Sequence, residues 1–384
     1  MRLAVVTFFP GKPWYASESL WNALAHEALT RGDDVAICTL QATDQGEQYA
    51  ALERRGAQIF QRRLFRRGLS YRLFSRSQFN DLWRFQPDVV FVSQPGPLCI
   101  TSYLDAKIMM HRLMKMDIPY AVMSHNNGDF DTPRVEAWRD AGPMFAKAKL
   151  VGQYSEASRR MLERQIARAL PQSRVFINPV NLASIDPVAW PSESRPAMAV
   201  VARLLSAVKG QDTLFEALAE RRVRAQDWIV RLFGQGDDLE YLKALASYYG
   251  IERSVEFCGH VGDIRAVWAN HHLLAIPSRF EYGPMVMVEA MLCARPVLST
   301  PMGFVPEWIE DGTSGFLTTA FSADSLAEGL ERAWAARDSW QAIGQRARAR
   351  ALELYDPDVG ATLYTALRHA AGMEATPREA TVPV

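Results

Sequence analysis

The sequence is poor in cysteine and carries no net charge, and both facts narrow its class. Four cysteines occur in 384 residues, far apart and without a CxxC pair, so they indicate neither a disulfide framework nor a zinc site and favour a reducing compartment. They are Cys38, Cys99, Cys258 and Cys293. The 43 lysines and arginines balance 43 acidic residues, which argues against a general nucleic-acid-binding protein.

Long apolar runs are also missing. No stretch approaches the roughly 18 to 20 apolar residues of a membrane-spanning helix. The apolar start, Met1–Phe9, is too short for a signal peptide and is predicted to be a buried strand. We therefore expect a cytoplasmic protein, and peripheral contact with the inner face of the membrane stays open.

The sequence does contain a regular alternation of short apolar runs, rich in β-branched residues, with longer segments of helical period. This pattern predicts parallel sheets built from βαβ units. The predicted strands are Arg2–Phe9, Asp34–Leu40, Pro87–Ser93, Pro119–His125, Lys149–Ser155, Ala197–Leu204, Trp228–Phe233, Val255–Cys258, His272–Pro277 and Pro296–Ser299. We predict an α/β protein with two doubly wound, Rossmann-like domains that face each other across a central cleft.

One irregular, proline-rich stretch separates the two runs of strands and is predicted to be a linker. The predicted divisions are an N-terminal domain over residues 1–180, a linker over 181–196, a C-terminal domain over 197–355, a C-terminal helix over 356–372 that packs back on the first domain, and a flexible tail over 373–384.

Two glutamates near one predicted strand end are candidates for ligand binding. Glu289 is the only charge in the apolar run from Pro284 to Cys293, which is predicted to be a helix beginning at Pro284. A buried carboxylate needs hydrogen-bond donors, and the hydroxyls of a ribose would supply them. Glu281 precedes the helix, in a loop. A structural ion pair for Glu289 and a solvated position for Glu281 are the alternatives.

Two cations belong to the same predicted edge of the sheet. Arg203 closes the first strand of the C-terminal domain, and Lys209 opens its first helix. The carboxyl ends of parallel strands and helix N-termini favour anions, and paired cations can neutralise a phosphate leaving group. Each of the two, taken singly, also fits a surface charge.

An ordered set of motifs across most of residues 197–320 resembles the donor-binding half of retaining glycosyltransferases of the GT-B fold, family four or group 1 type. The matching features are Arg203 with Lys209 and Gly210, Phe233–Asp237, Phe257–Val261, Pro277 with Ser278, Glu281 with Glu289, Ala294–Val297, Gly303 with Glu307, and Gly312–Leu317.

The resemblance implies a role for each matched position. Arg203 and Lys209 would bind the diphosphate of a nucleotide sugar, Glu281 hydroxyls of the sugar, and Glu289 those of the ribose. Further donor contacts are implied at Gly11, Gly259, Val261, Gly283, Pro284 and Met285. The resemblance implies no metal and no cofactor, and it assigns acceptor binding to the N-terminal domain.

The first domain resembles the family less closely. Pro10–Glu18 stands where many relatives have a paired glycine, and Gly303 with Phe304 replaces a second pair. Pro284 cannot donate an amide contact that relatives with glycine make. His125 matches the position of a cleft histidine in family members, so a hydrogen bond to the donor sugar or acceptor is expected. A structural histidine is the alternative.

The segment 54–84 is rich in arginine and amphipathic. Nine arginines stand against two acidic residues between Ala51 and Gln86, with apolar residues among them. Such a segment would attract anionic lipid headgroups, or an acceptor with phosphate or carboxylate. A charge-rich surface helix is the alternative.

Together these features predict a retaining, metal-independent glycosyltransferase that moves a sugar from a nucleotide diphosphate sugar to an acceptor hydroxyl in glycan, glycolipid or glycosylated-metabolite biosynthesis. An anionic or lipid-linked acceptor is expected, and no nucleic acid. Two alternatives stay open: a nucleotide-sugar epimerase of the same fold, and a catalytically silent nucleotide-sugar-binding protein. A nicotinamide dehydrogenase is disfavoured, because no GxGxxG follows the first strand.

Overall fold

Runs rich in valine, alanine and isoleucine form the strands of two parallel sheets, as expected for strands covered on both faces. The structure is a computed structural model that describes residues 1–9, 14, 16–41, 46–63, 74–126, 135–193 and 195–373. The chain divides into two units, Met1–Pro179 with the chain from Pro357 onward, and Val180–Asp356. The predicted α/β class with two doubly wound sheets is confirmed.

The first unit contains a seven-stranded sheet in the order β3-β2-β1-β4-β5-β6-β7, with every pair parallel. Its strands are β1 Arg2–Thr7, β2 Asp34–Leu40, β3 Gln58–Arg62, β4 Val89–Gln94, β5 Tyr120–Ser124, β6 Leu150–Gln153 and β7 Ser173–Val175. The strand order reverses between β1 and β4, which is the usual ligand-binding point of a doubly wound sheet.

Amphipathic helices cover this sheet and bury their apolar residues against it. They are α1 Ser19–Thr30, α2 Gly46–Arg54, α3 Asn80–Phe85, α4 Cys99–Ser102, α5 Leu104–Met116, α6 Val135–Lys147 and α7 Glu156–Ile166, with short 3₁₀ turns at Ala16–Glu18 and Ser77–Phe79.

The second unit repeats the winding in a six-stranded parallel sheet of order β10-β9-β8-β11-β12-β13. Its strands are β8 Ala197–Val201, β9 Ile229–Phe233, β10 Val255–Gly259, β11 Leu273–Ile276, β12 Val297–Ser299 and β13 Phe316–Leu317. Its helices are α8 Ser206–Lys209, α9 Gln211–Ala219, α10 Arg221–Arg224, α11 Leu239–Tyr249, α12 Ile264–Ala269, α13 Met285–Leu292, α14 Val305–Trp308, α15 Ala323–Ala335 and α16 Trp340–Leu354, with a 3₁₀ turn at Arg337–Ser339. The rings of Trp228 and Trp340 stack in its core, 5.5 Å apart.

The stretch predicted as a linker packs on the second unit. Three buried or half-buried arginines donate hydrogen bonds to its backbone carbonyls. They are Arg295 to Val188 and Ala189, Arg265 to Ser184 and Asp186, and Arg348 to Ile185. Residues 184–189 have no secondary structure of their own, and the hydrogen bonds from the three guanidinium groups to their carbonyl oxygens hold them in place. These residues therefore belong to the second unit.

The last described helix, α17 Val359–Ala370, belongs to the first unit. It packs along α1 so closely that a Cβ at Gly360 would lie 2.8 Å from the carbonyl oxygen of Ala23. The hydroxyl of Tyr364 donates a 2.7 Å hydrogen bond to Asp33. The tail predicted beyond Met373 lies outside the described residues.

The sequence pattern does not predict β3, β7 or β13. Strands β7 and β13 are only three and two residues long. β3 has the polar sequence Gln-Ile-Phe-Gln-Arg, which falls within the arginine-rich segment. Pairing with β2 places its last residue, Arg62, in a fully buried position.

Candidate active site

The site lies at the carboxyl edge of the second sheet, beside the point where its strand order reverses. β8 and β11 are neighbours there. β8 ends at Val201 and leads into the loop that carries Arg203 and then into the short helix α8, and β11 leads into the loop that carries Glu281. Lys209 is the last residue of α8, and the prediction that it opens this helix is wrong, because the chain enters the helix at Ser206 and leaves it at Gly210. Loops diverge at such a reversal and leave room for a ligand.

Glycines after β9 support the loop that carries Arg203. At Gly234 the backbone angle φ is +140°, and a Cβ there would lie 1.9 Å from the carbonyl oxygen of Ala202. A Cβ at Gly236 would lie 2.1 Å from the carbonyl oxygen of Leu204. Because only glycine permits so close a backbone approach, these two glycines fix the course of the Arg203 loop.

Lys209 and Glu281 form a partly buried ion pair, with side chains 22% and 12% exposed. The hydroxyl of Ser278 donates a 3.2 Å hydrogen bond to the same carboxylate oxygen that binds Lys209. Gly210 has φ of +66°, and a Cβ there would lie 1.9 Å from the carbonyl oxygen of Pro277. Glycine at this position therefore lets the end of α8 approach the loop after β11 closely enough for the pair to form.

Arg279 fastens the loop after β11 to helix α9. Its guanidinium donates two hydrogen bonds to the carboxylate of Asp212, of 2.6 and 2.8 Å, and one of 2.8 Å to the hydroxyl of Thr213. The ring of Phe321 lies 4.7 Å from the guanidinium carbon. A bidentate pair restricts geometry more than a single contact does, so Arg279 fixes the backbone two residues before Glu281.

Glu289 lies in α13 and is only 7% exposed. Its Oε1 accepts a 2.9 Å hydrogen bond from the backbone N–H of Asn181. Burial raises the pKa of Glu289 above its usual value, and the hydrogen bond from Asn181 offsets part of that rise. A carboxylate can accept about four hydrogen bonds, so the group keeps capacity for further donors such as hydroxyls.

Arg203, His260, Val261 and Glu289 line one cavity of about 410 Å³. The rest of the lining consists of Asn181, Val201, Ala202, Phe233, Gly234, Gln235 and Ile264. Arg203 is exposed, and its guanidinium has no hydrogen bond or ion pair with the described residues. The cavity thus combines a cation suited to a phosphate with a buried carboxylate suited to hydroxyls.

The other predicted donor-binding positions lie on the same edge of the sheet. Gly259 ends β10, and its carbonyl accepts a 2.7 Å hydrogen bond from the N–H of Gly234. Gly283 and Pro284 precede α13, which begins at Met285 with Pro284 as its N-cap. These four positions therefore lie at the carboxyl edge of the second sheet, Gly259 next to the turn at Gly234 and the other three where the Glu281 loop enters α13.

Phe304 fills the space beside Gly283. A Cβ at Gly283 would lie 2.7 Å from the Phe304 ring, which is fully buried and stacks on Trp308 at 5.4 Å. Gly303, with φ of +58°, passes close to the carbonyls of Glu281 and its neighbour. Phe304, which replaces the second glycine of the pair, therefore packs against the loop that carries Glu281 and supports it.

His125 lies in the first unit, at the end of β5, and is buried. Its Nε2 is 2.9 Å from the hydroxyl of Ser93, and its Nδ1 is hydrogen-bonded with the hydroxyl of Tyr154, which donates to Asn178 at 3.0 Å. Burial lowers the pKa of His125 to about 3. Both ring nitrogens thus have protein partners, and contact with a substrate stays a prediction.

Two further expectations concern the first unit. Gly11 lies outside the described residues, as do residues 64–73 of the arginine-rich segment. Arg62 is one of the nine arginines counted in that segment, but its side chain is fully buried and pairs with Asp105 at 3.0 Å, so it cannot attract lipid headgroups or an acceptor. The rings of Phe8 and Phe79 lie within 5.0 Å of its guanidinium carbon.

Sequence reasoning misses two residues of this site. Asn181 acts through its backbone N–H, which no side-chain pattern reports, and it lies 108 positions from Glu289. The sequence gives only a weak indication of the role of Arg279. Arg279 follows a predicted strand and lies just before Glu281, and Asp212, a residue of opposite charge, lies shortly after Lys209. The sequence alone does not show that the two residues meet.

The part of the chain that the structure describes has no cluster of three or more metal-ligating side chains. Within that same part, no helix is both long and apolar enough to cross a bilayer.

Comparison with known sequences finds a match in the second unit. Residues 186–350 match the family model described as glycosyl transferases group 1. The alpha-D-kanosaminyltransferase of Streptomyces kanamyceticus is 30% identical over 142 residues, which is 36% of this chain and 36% of that protein. The GDP-mannose-dependent alpha-(1-6)-phosphatidylinositol monomannoside mannosyltransferase of Mycobacterium tuberculosis (strain ATCC 25618 / H37Rv) is 30% identical over 163 residues, 40% of this chain and 42% of that protein. The match thus spans less than half the length of these curated relatives.

Comparison with solved structures extends over nearly the whole chain. The Anabaena protein Alr3699/HepE, solved in complex with UDP, superposes with a TM-score of 0.76 at 20% identity, covering 97% of this chain and 100% of that one. A glycosyltransferase from Rickettsia africae superposes with a TM-score of 0.77 at 14% identity, covering 96% and 98%. These likenesses show the fold, which is GT-B.

Proposed function

We propose that this protein transfers a sugar from a nucleotide diphosphate sugar to an acceptor hydroxyl. Residues 186–350 match the family model of the glycosyl transferases group 1, and the fold is GT-B, which supports this proposal. The activity of the whole protein belongs to this proposal and is not a finding, because the match to the sequence relatives covers less than half of their length.

One observation carries the proposal. At the switch point of the second sheet, a single cavity holds the exposed cation Arg203 and the buried carboxylate Glu289. The loop with Arg203 continues directly into Lys209, which pairs with Glu281. This set of groups suits a nucleotide sugar. Cationic side chains bind its diphosphate, and carboxylates accept hydrogen bonds from the hydroxyls of its ribose and its sugar.

In the proposed reaction, Arg203 and Lys209 bind the diphosphate and stabilise the charge that it gains as it leaves. The bond between the anomeric carbon and the phosphate oxygen breaks, and the acceptor oxygen forms a bond to the same carbon. The acceptor proton passes to the departing phosphate oxygen. Glu281 holds hydroxyls of the sugar, and Glu289 holds those of the ribose.

We propose that transfer retains the anomeric configuration and needs no metal. The two cations supply the charge that balances the leaving diphosphate, which supports a reaction without a metal. Departure and attack on one face of the sugar require no protein nucleophile. Product analysis by NMR tests retention, because the one-bond coupling constant between the anomeric carbon and its proton differs between the two anomers. Inversion would contradict this part of the proposal.

Thermal unfolding with added nucleotides tests donor binding first. UDP, GDP, UDP-glucose and GDP-mannose, each in buffer with EDTA, are compared with no addition. We expect at least one nucleotide to raise the melting temperature, because ligand binding stabilises the folded state. In Lys209→Ala the rise should shrink strongly, while the matched surface variant Lys243→Ala, at an exposed position of α11, should respond like the wild type.

Turnover is the decisive measurement. Lys209→Ala should retain its fold by circular dichroism and lose transfer from the best donor, and near-normal turnover would contradict the role of Lys209. Incubation with the donor alone separates transfer from epimerisation, since only an epimerase produces a new nucleotide sugar without acceptor. A protein that binds nucleotide but modifies neither donor nor any acceptor would instead fit the silent binding protein.

The arginine-rich segment is the basis for our proposals about the acceptor and about membrane contact. We propose an anionic or lipid-linked acceptor and peripheral binding to anionic membranes. Of the segment's described arginines, those at 54, 55, 63, 76 and 84 are exposed. Sedimentation with vesicles of phosphatidylglycerol and phosphatidylcholine, at low and high salt, tests the membrane contact. Binding that salt weakens supports it, and no binding at low salt contradicts it.

A further inference from the structure

The two cations assigned to the diphosphate differ in their surroundings. Arg203 has no ion pair within the described residues, whereas the ammonium of Lys209 is bound by Glu281. A phosphate must therefore displace this carboxylate, or share the ammonium with it, before Lys209 can bind fully. Glu281 is at the same time the residue assigned to the sugar hydroxyls.

The position of the Glu281 carboxylate is held independently of Lys209. Ser278 donates to the same carboxylate oxygen at 3.2 Å, and the Arg279 contacts with Asp212 fix the backbone nearby. Lys209, by contrast, has a flexible four-carbon stem. A change of partner would thus move the lysine ammonium, while the glutamate carboxylate and the loop backbone stay in place.

We propose, on the basis of the proposed function, that Glu281 makes the site prefer the intact nucleotide sugar over the nucleoside diphosphate product by exchanging its partner. With donor bound, the diphosphate takes Lys209 and the sugar hydroxyls take Glu281. After transfer the hydroxyls are gone, so the Glu281 carboxylate again competes with the diphosphate for Lys209 and favours release of the product.

Charge supports the direction of this preference. A nucleoside diphosphate carries up to one more negative charge at neutral pH than its sugar ester, because the sugar blocks one ionisable phosphate oxygen. The Glu281 carboxylate, held beside the phosphate-binding cation, repels the diphosphate more strongly than the ester. The ester also gains hydrogen bonds from its sugar to the carboxylate, and the diphosphate has none to gain.

Isothermal titration calorimetry in EDTA buffer tests the proposal on the full chain. UDP and GDP are the product probes, and UDP-glucose and GDP-mannose are the donor probes. Glu281→Gln should bind the diphosphate about three- to tenfold more tightly, and the matching nucleotide sugar about tenfold more weakly, from the size of partly buried ion pairs and of hydrogen bonds to charged groups. A purely structural role of Glu281 would not give these opposite changes, because loss of such a role would weaken the binding of both ligands.

A double-mutant cycle with Lys209→Gln isolates the exchange. In the Lys209→Gln background, Glu281→Gln should tighten diphosphate binding by clearly less than it does in the wild type, because the competition for the ammonium is gone and only direct repulsion between carboxylate and phosphate remains. If Glu281→Gln does not fold by circular dichroism, Glu281→Asp, which withdraws the carboxylate by one methylene group, replaces it with the same expected directions.

Three outcomes would overturn the proposal. If Glu281→Gln binds the diphosphate as well as the wild type does, or more weakly, the exchange is contradicted. The proposed function is not affected by that result, because the protein still binds nucleotide. Equal tightening in the Lys209→Gln background shows that Glu281 acts on the phosphate without Lys209. If the wild type binds neither diphosphate nor either nucleotide sugar at millimolar concentration, the proposed function itself fails, and the exchange fails with it.

Discussion

Replacing Glu289 by glutamine should stabilise the free protein while weakening its affinity for nucleotide. The carboxylate is 7% exposed, and its pKa is raised by burial. One backbone N–H, that of Asn181, donates to it at 2.9 Å. Glutamine has nearly the same shape and keeps a carbonyl oxygen for this N–H, but it removes the buried charge.

The pH dependence of this effect follows from the direction of the pKa shift. An acid whose pKa is higher in the folded than in the unfolded chain binds its proton more tightly when folded. The buried Glu289 carboxylate therefore destabilises the fold above its raised pKa. This cost begins to fall as the pH drops through that value and is gone below the pKa of the unfolded chain. Wild type and Glu289→Gln should differ most at neutral pH and converge in acid.

The expected magnitude is modest for stability and larger for binding. An incompletely satisfied buried polar group costs about 1–3 kcal/mol, so the free energy of unfolding should rise by about 1 kcal/mol. In a unit of about 150–250 residues, that shifts the melting temperature by about 2–4 °C. Loss of hydrogen bonds from two hydroxyls to a charged acceptor, about 1.5–3 kcal/mol, should weaken nucleotide binding about 10- to 100-fold.

Thermal unfolding at pH 7.5 and pH 4.5, with calorimetric titration of UDP and GDP at pH 7.5, measures both effects. Glu328→Gln is the matched control, because Glu328 is exposed on α15 of the same unit. It should change neither quantity. A Glu289→Gln protein that melts lower than wild type at pH 7.5, or that binds nucleotide equally well, would refute the assignment of a charged, ligand-binding carboxylate at this position.

Three other substitutions test the supports of the site. Arg279→Lys keeps the positive charge but loses the bidentate contact, so the ratio kcat/KM for the donor should fall about tenfold with little change in melting temperature; a normal ratio would show that the contact does not position the loop. Asn181→Pro removes the N–H that Glu289 accepts and should lower the free energy of unfolding by about 1–2 kcal/mol, whereas Asn181→Ala keeps it and should change stability by less than about 0.5 kcal/mol. Gly234→Ala places a Cβ against the carbonyl of Ala202 and should destabilise by more than about 2 kcal/mol in chemical denaturation; wild-type stability would mean that the turn readily adjusts.

The sequence pattern was sufficient for the fold class because strands buried on both faces leave continuous apolar runs, as in Val89–Gln94 and Leu273–Ile276. It was insufficient at β3, whose polar residues resemble a surface segment. There the buried guanidinium of Arg62 pairs with Asp105, 43 positions away. A count of charges along the chain cannot show that a long-range partner has taken one of them into the interior.

The candidate site shows the same limit. The lone carboxylate of Glu289 in an apolar helix is visible in the sequence, since burial of a charge demands a partner. The identity of that partner is not visible, because it is a backbone N–H from a stretch with no periodicity. Likewise the types and order of Arg203, Lys209 and Glu281 in the sequence predict a phosphate and sugar site. The pairing of Lys209 with Glu281 is not visible there, because it depends on the close packing of the end of α8 against the loop after β11.

The course of the chain has a consequence for synthesis on the ribosome. Helix α1 is made early, but its packing partner α17 follows only after all of the second unit has been translated. At about 5–20 residues per second, roughly 15 to 70 seconds separate the two helices. During that interval the surface of α1 around Ala23 lacks the partner that packs against it at Gly360, so the nascent first unit should be a substrate for chaperones until α17 emerges.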